Sequence, residues 1–307
     1  NSSSSDAITY TIDNAADTAT TFAVSFASAD DVTNASEVSH VSMTLAGVDS
    51  DASSVSVSID DAGSTAAIVR SASKVGSDWV VPDVDLSTLA DGTITVTATV
   101  TDGAGNTATA TDTLTLDDTA PTTPTIAAIT TPGKDNTPTI TVTADAGSTV
   151  KVYANGDLLG AATEGSGASA GTFTLTSGVI ADGNYSITAI STDTADNASA
   201  EAVPQNIIID ATAPAVSIST TAGAITAANA ASVTISGTAE AGAAIQLQLA
   251  SNDIAGKTAT ADANGNWSVS SVNVAAGGAV TADATDAAGN SSSSDAITYT
   301  IDNAADT

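Results

Sequence analysis

Apolar and polar residues alternate with a period of two along most of this chain. Between residues 126 and 209 the runs fall at 126–130, 137–145, 149–154, 158–163, 172–176, 185–192 and 207–209. Ile140 and Val142, then Val150 and Val152, occupy their inward positions. Gly, Asp, Asn and Pro bound the runs, and no segment carries a helical period. The same order returns at 216–219, 233–237, 245–249, 258–261, 267–269, 280–284 and 297–301. With longer loops it is also found at 22–26, 38–45, 55–59, 67–69, 79–81, 94–100 and 114–116. Such runs predict an all-β fold of three tandem immunoglobulin-like antiparallel β-sandwich domains arranged end to end.

One stretch, NSSSSDAITYTIDNAADT, occupies residues 1–18 and recurs letter for letter at residues 290–307, an offset of 289. Identity over that length predicts one period of a larger tandem array, overlapping itself. Weaker copies of its plan, a polar turn, an alternating run and a closing aspartate, end at Asp117 and Asp210. The closing aspartates Asp13, Asp117, Asp210 and Asp302 are 104, 93 and 92 residues apart, the size of small independent domains. The expected boundaries are 14–117, 118–210 and 211–302. Residues 1–13 are expected as the last strand of a preceding repeat and 303–307 as the start of the next linker.

Composition narrows the function. There is no cysteine, so disulfides do not staple these small domains. Five Lys+Arg against 35 Asp+Glu leave a net charge of −30, which argues against nucleic acid and anionic membrane as partners. The charge has two readings, a generically soluble acidic surface or acid clusters that hold a hard cation. No apolar run is long enough to span a membrane, and a leader peptide is not expected in a stretch from the middle of an array. Aromatics are 3 %, low enough to raise disorder, but the β-branched residues alternate too regularly for that.

Candidate chemistry is sparse. His40 is the only histidine and Met43 the only methionine, so nucleophile–base triads and histidine-based metal catalysis have little to work with. Trp79, Phe173 and Trp267 recur at the fifth strand, 94 residues apart, and read as core anchors rather than as a sugar platform. Tyr185 sits where a tyrosine corner falls. Paired carboxylates of a glycosidase type are available by residue type, yet the acids fall in turns repeated from domain to domain.

Their positions favour the cation. If strands run alternately up and down, the loops after the second and sixth strands share the pole where the chain enters. The first of these carries Asp49 or Asp51, then Asp145, then Glu240. The second carries Asp102 with Asn106, Asp193 with Asn197, and Asp286 with Asn290. The incoming linkers add Asp13, Asp117 with Asp118, and Asp210; Asp302 closes the chain's last strand. Three carboxylates so gathered repel one another, and Ca2+ with its six to eight oxygen ligands relieves the conflict. Several ions, mainly at the boundaries, are expected. At the opposite pole Asp30, Asp31, Asp60, Asp61 and Asp91 make a further ion plausible in the first domain. Asp135, Asp157 and Asp182 leave the second open, and Asp253 alone disfavours one in the third.

The Asp-x-Ala-Gly-Asn turn, the Asp-x-Thr-Ala-Pro linker (117–121, 210–214), the Thr-Ala-[Asp/Glu]-Ala-Gly loop and the Gly-x-Trp-Ser strand (265–268) carry a resemblance. The chain resembles the bacterial immunoglobulin-like tandem repeats of giant type I-secreted RTX adhesins. The first unit lacks the Thr-Ala-[Asp/Glu]-Ala-Gly loop, and the linkers at 13–17 and 302–306 lack the proline. The resemblance implies calcium between domains and a non-enzymatic extender on the bacterial surface. It also implies a monomeric segment whose partners are neighbouring repeats, with the ligand-binding tip elsewhere. The alternative is that the repeats themselves bind a glycan or ice through Thr-rich strand faces such as 93–101, although alternating Thr is also the ordinary outer face of a half-buried strand.

Overall fold

A computed structural model of the chain describes residues 18–26, 31–50, 52–63, 65–220 and 225–302. Among them the structure is all β apart from one 3-10 turn at Gly167–Ser169. Contacts group the chain into two compact units. One comprises Asn1–Pro124, Ala144–Val150 and Ile190–Glu201; the other comprises Thr125–Thr143, Lys151–Ala189 and Ala202–Thr307.

In the first unit two sheets face each other. One runs Thr18–Phe26, Val41–Val48, Asp78–Val84, Ser73–Val75; the other runs Val32–Thr33, Thr107–Leu116, Gly92–Asp102, Ala52–Asp61, Ile68–Ser71. The alternation dictates the faces. Ile94, Val96, Ala98 and Val100 point into the core with Val55, Val57, Ile59, Met43 and Leu45, while Thr93 and Thr95 stay outside.

A seven-stranded sheet follows, ordered Thr125–Ile126, Thr139–Thr143, Thr172–Thr176, Asp157–Glu164, Thr149–Ala154, Gly183–Thr192, Gln205–Ile209. Ile140, Val142, Val150, Val152, Phe173, Ile187 and Ile209 are its buried residues. In the second unit Val216–Ile218, Val233–Ala239 and Asn266–Val272 form one sheet. Asn252–Thr260, Ala244–Leu249, Gly278–Thr285 and Ser291–Ser293 form the other, and Ile297–Tyr299 also pairs with Gly278–Thr285. Leu247, Val272, Val280 and Trp267 lie in the core of this second sandwich.

The fold class expected from the period-two pattern is the one observed, with instructive differences. The run expected at 38–45 is the strand Val41–Val48; residues 34–38 form a turn closed by the Val38 N–H on the Asn34 carbonyl at 2.9 Å. Val38 is buried from that turn, which is why it mimics a strand position. The run expected at 114–116 extends over Thr107–Leu116. Its first residues are Thr and Ala with no large apolar side chain, so hydrophobicity does not mark them. Their strand character comes from pairing, with Thr107 to Thr115 opposite Thr101 to Thr93. Similarly, 258–261 widens to Asn252–Thr260. The expected 297–301 divides into Ile297–Tyr299 and Ile301–Asp302, the latter parallel to Ile225–Thr226. Val32–Thr33 pairs in the same parallel sense with the end of Thr107–Leu116. Val32–Thr33 thereby covers the edge of its five-stranded sheet, whereas Ile225–Thr226 and Ile301–Asp302 form a two-stranded sheet of their own.

Phe173 and Trp267 are buried, and Trp79 packs half-buried against its core, so the three recurring aromatics lie where core anchors belong. The Tyr185 hydroxyl donates to the Ala181 carbonyl at 3.0 Å, closing the tyrosine corner.

Gly237 is the tightest point of the second sandwich. A Cβ there would lie 1.9 Å from the Ser217 carbonyl oxygen and 2.6 Å from the Trp267 ring. Gly237→Ala should destabilise the protein by about 1–3 kcal/mol through overpacking. Gly103→Ala, with open space around it, should stay within about 0.5 kcal/mol. Urea unfolding of both variants checks this; equal midpoints would be the contrary result.

Candidate metal site at the linkers

The Asp-x-x-x-Asn turns are self-closing. Asp102 Oδ1 accepts the N–H groups of Ala104 and Asn106, both at 2.8 Å, and its Oδ2 accepts the Asn106 amide at 2.7 Å. Asp193 takes Ala195 and Asn197 N–H at 2.9 Å and the Asn197 amide at 3.1 Å. Asp286 takes the Asn290 N–H at 2.9 Å and its amide at 2.8 Å. The fourth position must enter the left-handed region, and Gly105, Gly289 and Asp196 do so with φ of 92°, 90° and 66°. Asp262, which no linker reaches by sequence reasoning, builds the same turn with Asn264 and Asn266. The motif is therefore first of all a way to turn the chain, by the local side-chain-to-backbone bonding that suits Asp and Asn.

Among the described residues, the turns at Asn197 and Asn290 also hold a linker. Asn197 is buried, and its amide donates to the Asp117 carbonyl at 2.8 Å while its Oδ1 accepts the Ala35 N–H at 2.8 Å. The Asn290 amide donates to the Asp210 carbonyl at 2.7 Å. Donor and acceptor are 80 residues apart in both. Further along each linker, Ser191 donates to the Thr122 carbonyl at 3.3 Å and Ser292 to that of Pro214. Asp145 accepts both the N–H and the hydroxyl of Thr122, at 2.7 and 2.8 Å. The Lys134 ammonium reaches the Gly289 carbonyl at 3.2 Å.

Asp117, Asp145 and Asp193, three of the acids expected to converge, line one open cleft of about 380 Å3 with Thr119, Thr122 and Ser148. Its polar lining is oxygen-rich, the chemistry a hard divalent cation takes. Among the described residues, however, no group of three or more His, Cys, Asp or Glu is arranged to hold a metal ion. Asp145 and Asp193 face amide and hydroxyl donors, as do Asp102 and Asp286. Asp49 turns back on its own loop, accepting the Ser50 N–H at 2.6 Å, and Glu240 bonds the linker through its main-chain N–H to Ala215 at 3.1 Å. Asp13, Asp30 and Asp51 lie outside the described residues, as does the side chain of Asp302. Asp117, Asp145 and Asp193 thus share a cleft without being arranged as a set of metal ligands.

Two acids not assigned to the linkers by sequence engage them. Asp91 accepts the Asp118 N–H at 3.0 Å and the Thr119 hydroxyl at 2.5 Å. Asp182 accepts the Ala211 N–H at 2.8 Å and the Thr212 hydroxyl at 2.5 Å. The available signal is the Thr of Asp-x-Thr-Ala-Pro, whose partner is the acid before the sixth strand. Thr119 and Thr212 hold Asp91 and Asp182 below the usual carboxylate range, and Thr122 does so for Asp145. The Asn106 amide and the turn's N–H groups lower Asp102; burial pulls Asp286 upward, but the donors of Asn290 outweigh it. Asp118 moves the other way, raised by burial and then by the charge of Asp91.

Residues 129–211 match the protein-family model of a bacterial Ig-like domain, and residues 221–301 that of a bacterial Ig domain. These two stretches are bacterial Ig-like domains. The family is a non-enzymatic type. The curated proteins give no match to this chain. Among solved structures, the Ig-like repeats are similar to a 1.5-MDa bacterial ice-binding adhesin involved in host cell surface retention, with 24% identity, a TM-score of 0.33, and coverage of 92% of this chain and 99% of that one. A tetra-tandem repeat in the extending region of a large adhesion protein gives 24% identity and a TM-score of 0.29 over 91% and 74%. The Clostridium thermocellum CbhA fibronectin(III)-like modules give 17% and 0.36 over 61% and 94%. No helix among the described residues is long and apolar enough to cross a membrane.

Asn197 satisfies two part-buried backbone groups outside its own turn, so Asn197→Ala removes this partner from the Asp117 carbonyl and the Ala35 N–H. It should lower stability by about 1–3 kcal/mol. Asn266, which closes a turn of the same build, serves as the comparison site in chemical unfolding. The Asn266→Ala change, at an exposed turn, should cost less than Asn197→Ala; the reverse order would show that the linker contacts carry no weight.

Proposed function

We propose that the chain is a calcium-stiffened stalk segment of a giant bacterial surface adhesin, exported by type I secretion and projecting a distal ligand-binding tip away from the cell. The observation that carries this reading is the repeated clasp, Asn197 on the Asp117 carbonyl and Asn290 on that of Asp210. A spacer needs the same joint built the same way more than once, and the letter-for-letter repeat of residues 1–18 at 290–307 supports an array of such joints. Its partners are then neighbouring repeats, and the segment is monomeric, outside the cell, with no nucleic acid bound.

Calcium is the counter-ion that suits a chain of net charge −30. Asp117, Asp145 and Asp193 would hold it at one linker, and Asp210, Glu240 and Asp286 at the next. When bound it supplies positive charge where the linker and loop acids otherwise repel. An ion bound only by the native state also stabilises by RT ln(1 + [L]/Kd), about 2.7 kcal/mol at a hundred times Kd. A calcium-poor cytoplasm would leave the chain compliant for export, and the calcium-rich exterior would set it.

Calorimetric titration should show saturable calcium binding, with Asp193→Ala losing ions at the first linker and sparing the second. Chelation should leave the β circular dichroism signal in place, because each sandwich has its own core, and shorten the maximum dimension seen by solution scattering. Unchanged scattering would remove the mechanical role, and complete loss of the β signal would make calcium a requirement of folding instead.

One observation favours a second reading. Thr93, Thr95, Thr97, Thr99 and Thr101 stand directly opposite Thr115, Thr113, Thr111, Thr109 and Thr107, giving two in-register hydroxyl columns on one sheet face. Such a face offers regular donors and acceptors to a glycan or to ice, which a glycan array and an ice-affinity assay on this fragment distinguish from a plain spacer.

A further inference from the structure

Two strands of the first sandwich end their sheets on the same open side. Among the described residues, Ile68–Ser71 has only Ala52–Asp61 beside it, and Ser73–Val75 has only Asp78–Val84. Ala72 alone separates them, so the run from Ile68 to Val75 is the edge of both facing sheets. The second sandwich has a comparable open side, where Asn252–Thr260 and Asn266–Val272 end their sheets. In the seven-stranded sheet that place is filled, because Asp157–Glu164 lies between Thr149–Ala154 and Thr172–Thr176.

An edge strand presents free N–H and C=O groups and is a template for a strand of another molecule. The run at 68–75 has the features that make such pairing favourable. Val69 and Val75 are each 62 % exposed on it. Residues 62–77 contain no Asp or Glu, so the acidity that keeps copies of this chain apart elsewhere is missing here. The charges in that stretch are Arg70 and Lys74.

Register fixes which way these two cations point, since residues directly opposite in a sheet share a face. Arg70 stands opposite Val57, which lies in the core, and Lys74 opposite Trp79, which packs against it. Both therefore take core-facing positions, as Ile68 does opposite Ile59. They keep their water because the edge is open. Both are exposed, and the Arg70 guanidinium donates to the Val69 carbonyl at 2.9 Å. A strand added at either edge would lay its own inward side chains over them, and a charge stripped of water without a partner is costly. The second sandwich has a lysine at its open side too. Lys257, on Asn252–Thr260, donates to the Ser270 carbonyl of the other end strand at 3.2 Å. Three of the chain's five Lys+Arg thus sit on the two open sides, a placement that chance in so acidic a chain does not favour.

We propose that the edge at residues 68–75 is a latent docking surface for a strand of a second copy of this chain, and that Arg70 and Lys74 keep it shut. The exposed valines and the two sheet edges supply what a copy would bind, and the inward cations set the cost of binding it. Stalks standing side by side on a cell would otherwise pair through this edge. That purpose rests on the stalk reading, whereas the edge itself is a property of the sandwich.

Arg70→Thr with Lys74→Thr places uncharged, strand-forming side chains at both positions. Sedimentation velocity on the full 307-residue chain, with chelator present, reads the result. Molar salt, where the Debye length is about 3 Å, screens the repulsion between net charges and leaves the local cost of burying a cation. The unaltered chain should sediment as a monomer at every concentration. The double variant's mass should rise with concentration to about twice the monomer's or beyond. Adding Val69→Lys, on the outer side of the same strand, should return the double variant to monomer. Circular dichroism and urea midpoints report that all three chains are folded. If the double variant does not fold, Lys74→Thr alone, at an exposed residue, should show the same rise at higher concentration. A folded double variant that stays monomeric would overturn the proposal, as would association that Val69→Lys leaves untouched. Association of the unaltered chain that the double variant abolishes would make the cations contacts for an acidic partner instead, and would equally overturn it. None of these outcomes involves calcium, so the stalk reading stands or falls separately.

Discussion

A buried amide that must find partners governs how this chain passes from one sandwich to the next. A linker leaves a sheet with carbonyl and N–H groups that no neighbouring strand can take, and an unpaired buried backbone group is costly. Asn197 resolves this with one side chain: its amide takes the Asp117 carbonyl and its oxygen takes the Ala35 N–H, while Asp193 holds the same amide in place. Carboxamide is the suitable group because it donates and accepts from one planar head. A carboxylate in its place could accept but not donate, and would stand against Asp193.

The same economy of partners tempers the acidity. With 35 Asp+Glu and five Lys+Arg, the chain has few cations to pair with its carboxylates. It relies on N–H and hydroxyl donors instead, two or three to an acid in the turns at Asp102 and Asp193 and in the clasp at Asp91. Such bonds lower the pKa of Asp91, Asp102, Asp145, Asp182 and Asp286, so these groups stay charged at neutral pH. Hydrogen bonding satisfies each acid locally without cancelling its charge, and the net repulsion survives.

The sandwiches themselves are ordinary in their physics. Val, Ile and Leu alternate with Thr and Ser, and the inward set closes over Phe173, Trp267 or, less completely, Trp79. Low aromatic content leaves small cores in which close backbone approach matters. Gly237 is the clearest case, lying between the Ser217 carbonyl and the Trp267 ring.

By itself the sequence determined the fold class, the strand faces and the turns, because those depend on side-chain period and on residues such as Gly, Asn and Asp whose preferences are local. It marked Ile94, Val96 and Val100 as inward and Asp102 to Asn106 as a turn. Only the tertiary structure decided the rest. The strand Thr107–Leu116 is set by its partner Gly92–Asp102, since its Thr–Ala run carries no hydrophobic signal. Likewise, only packing brings the Asn197 amide to the Asp117 carbonyl, 80 residues away in sequence. Loop acids that share a pole by topology need not share an ion, and Asp91 meets Thr119 across 28 residues that no local pattern connects. Period fixes which way a side chain points, but only packing fixes what it meets there.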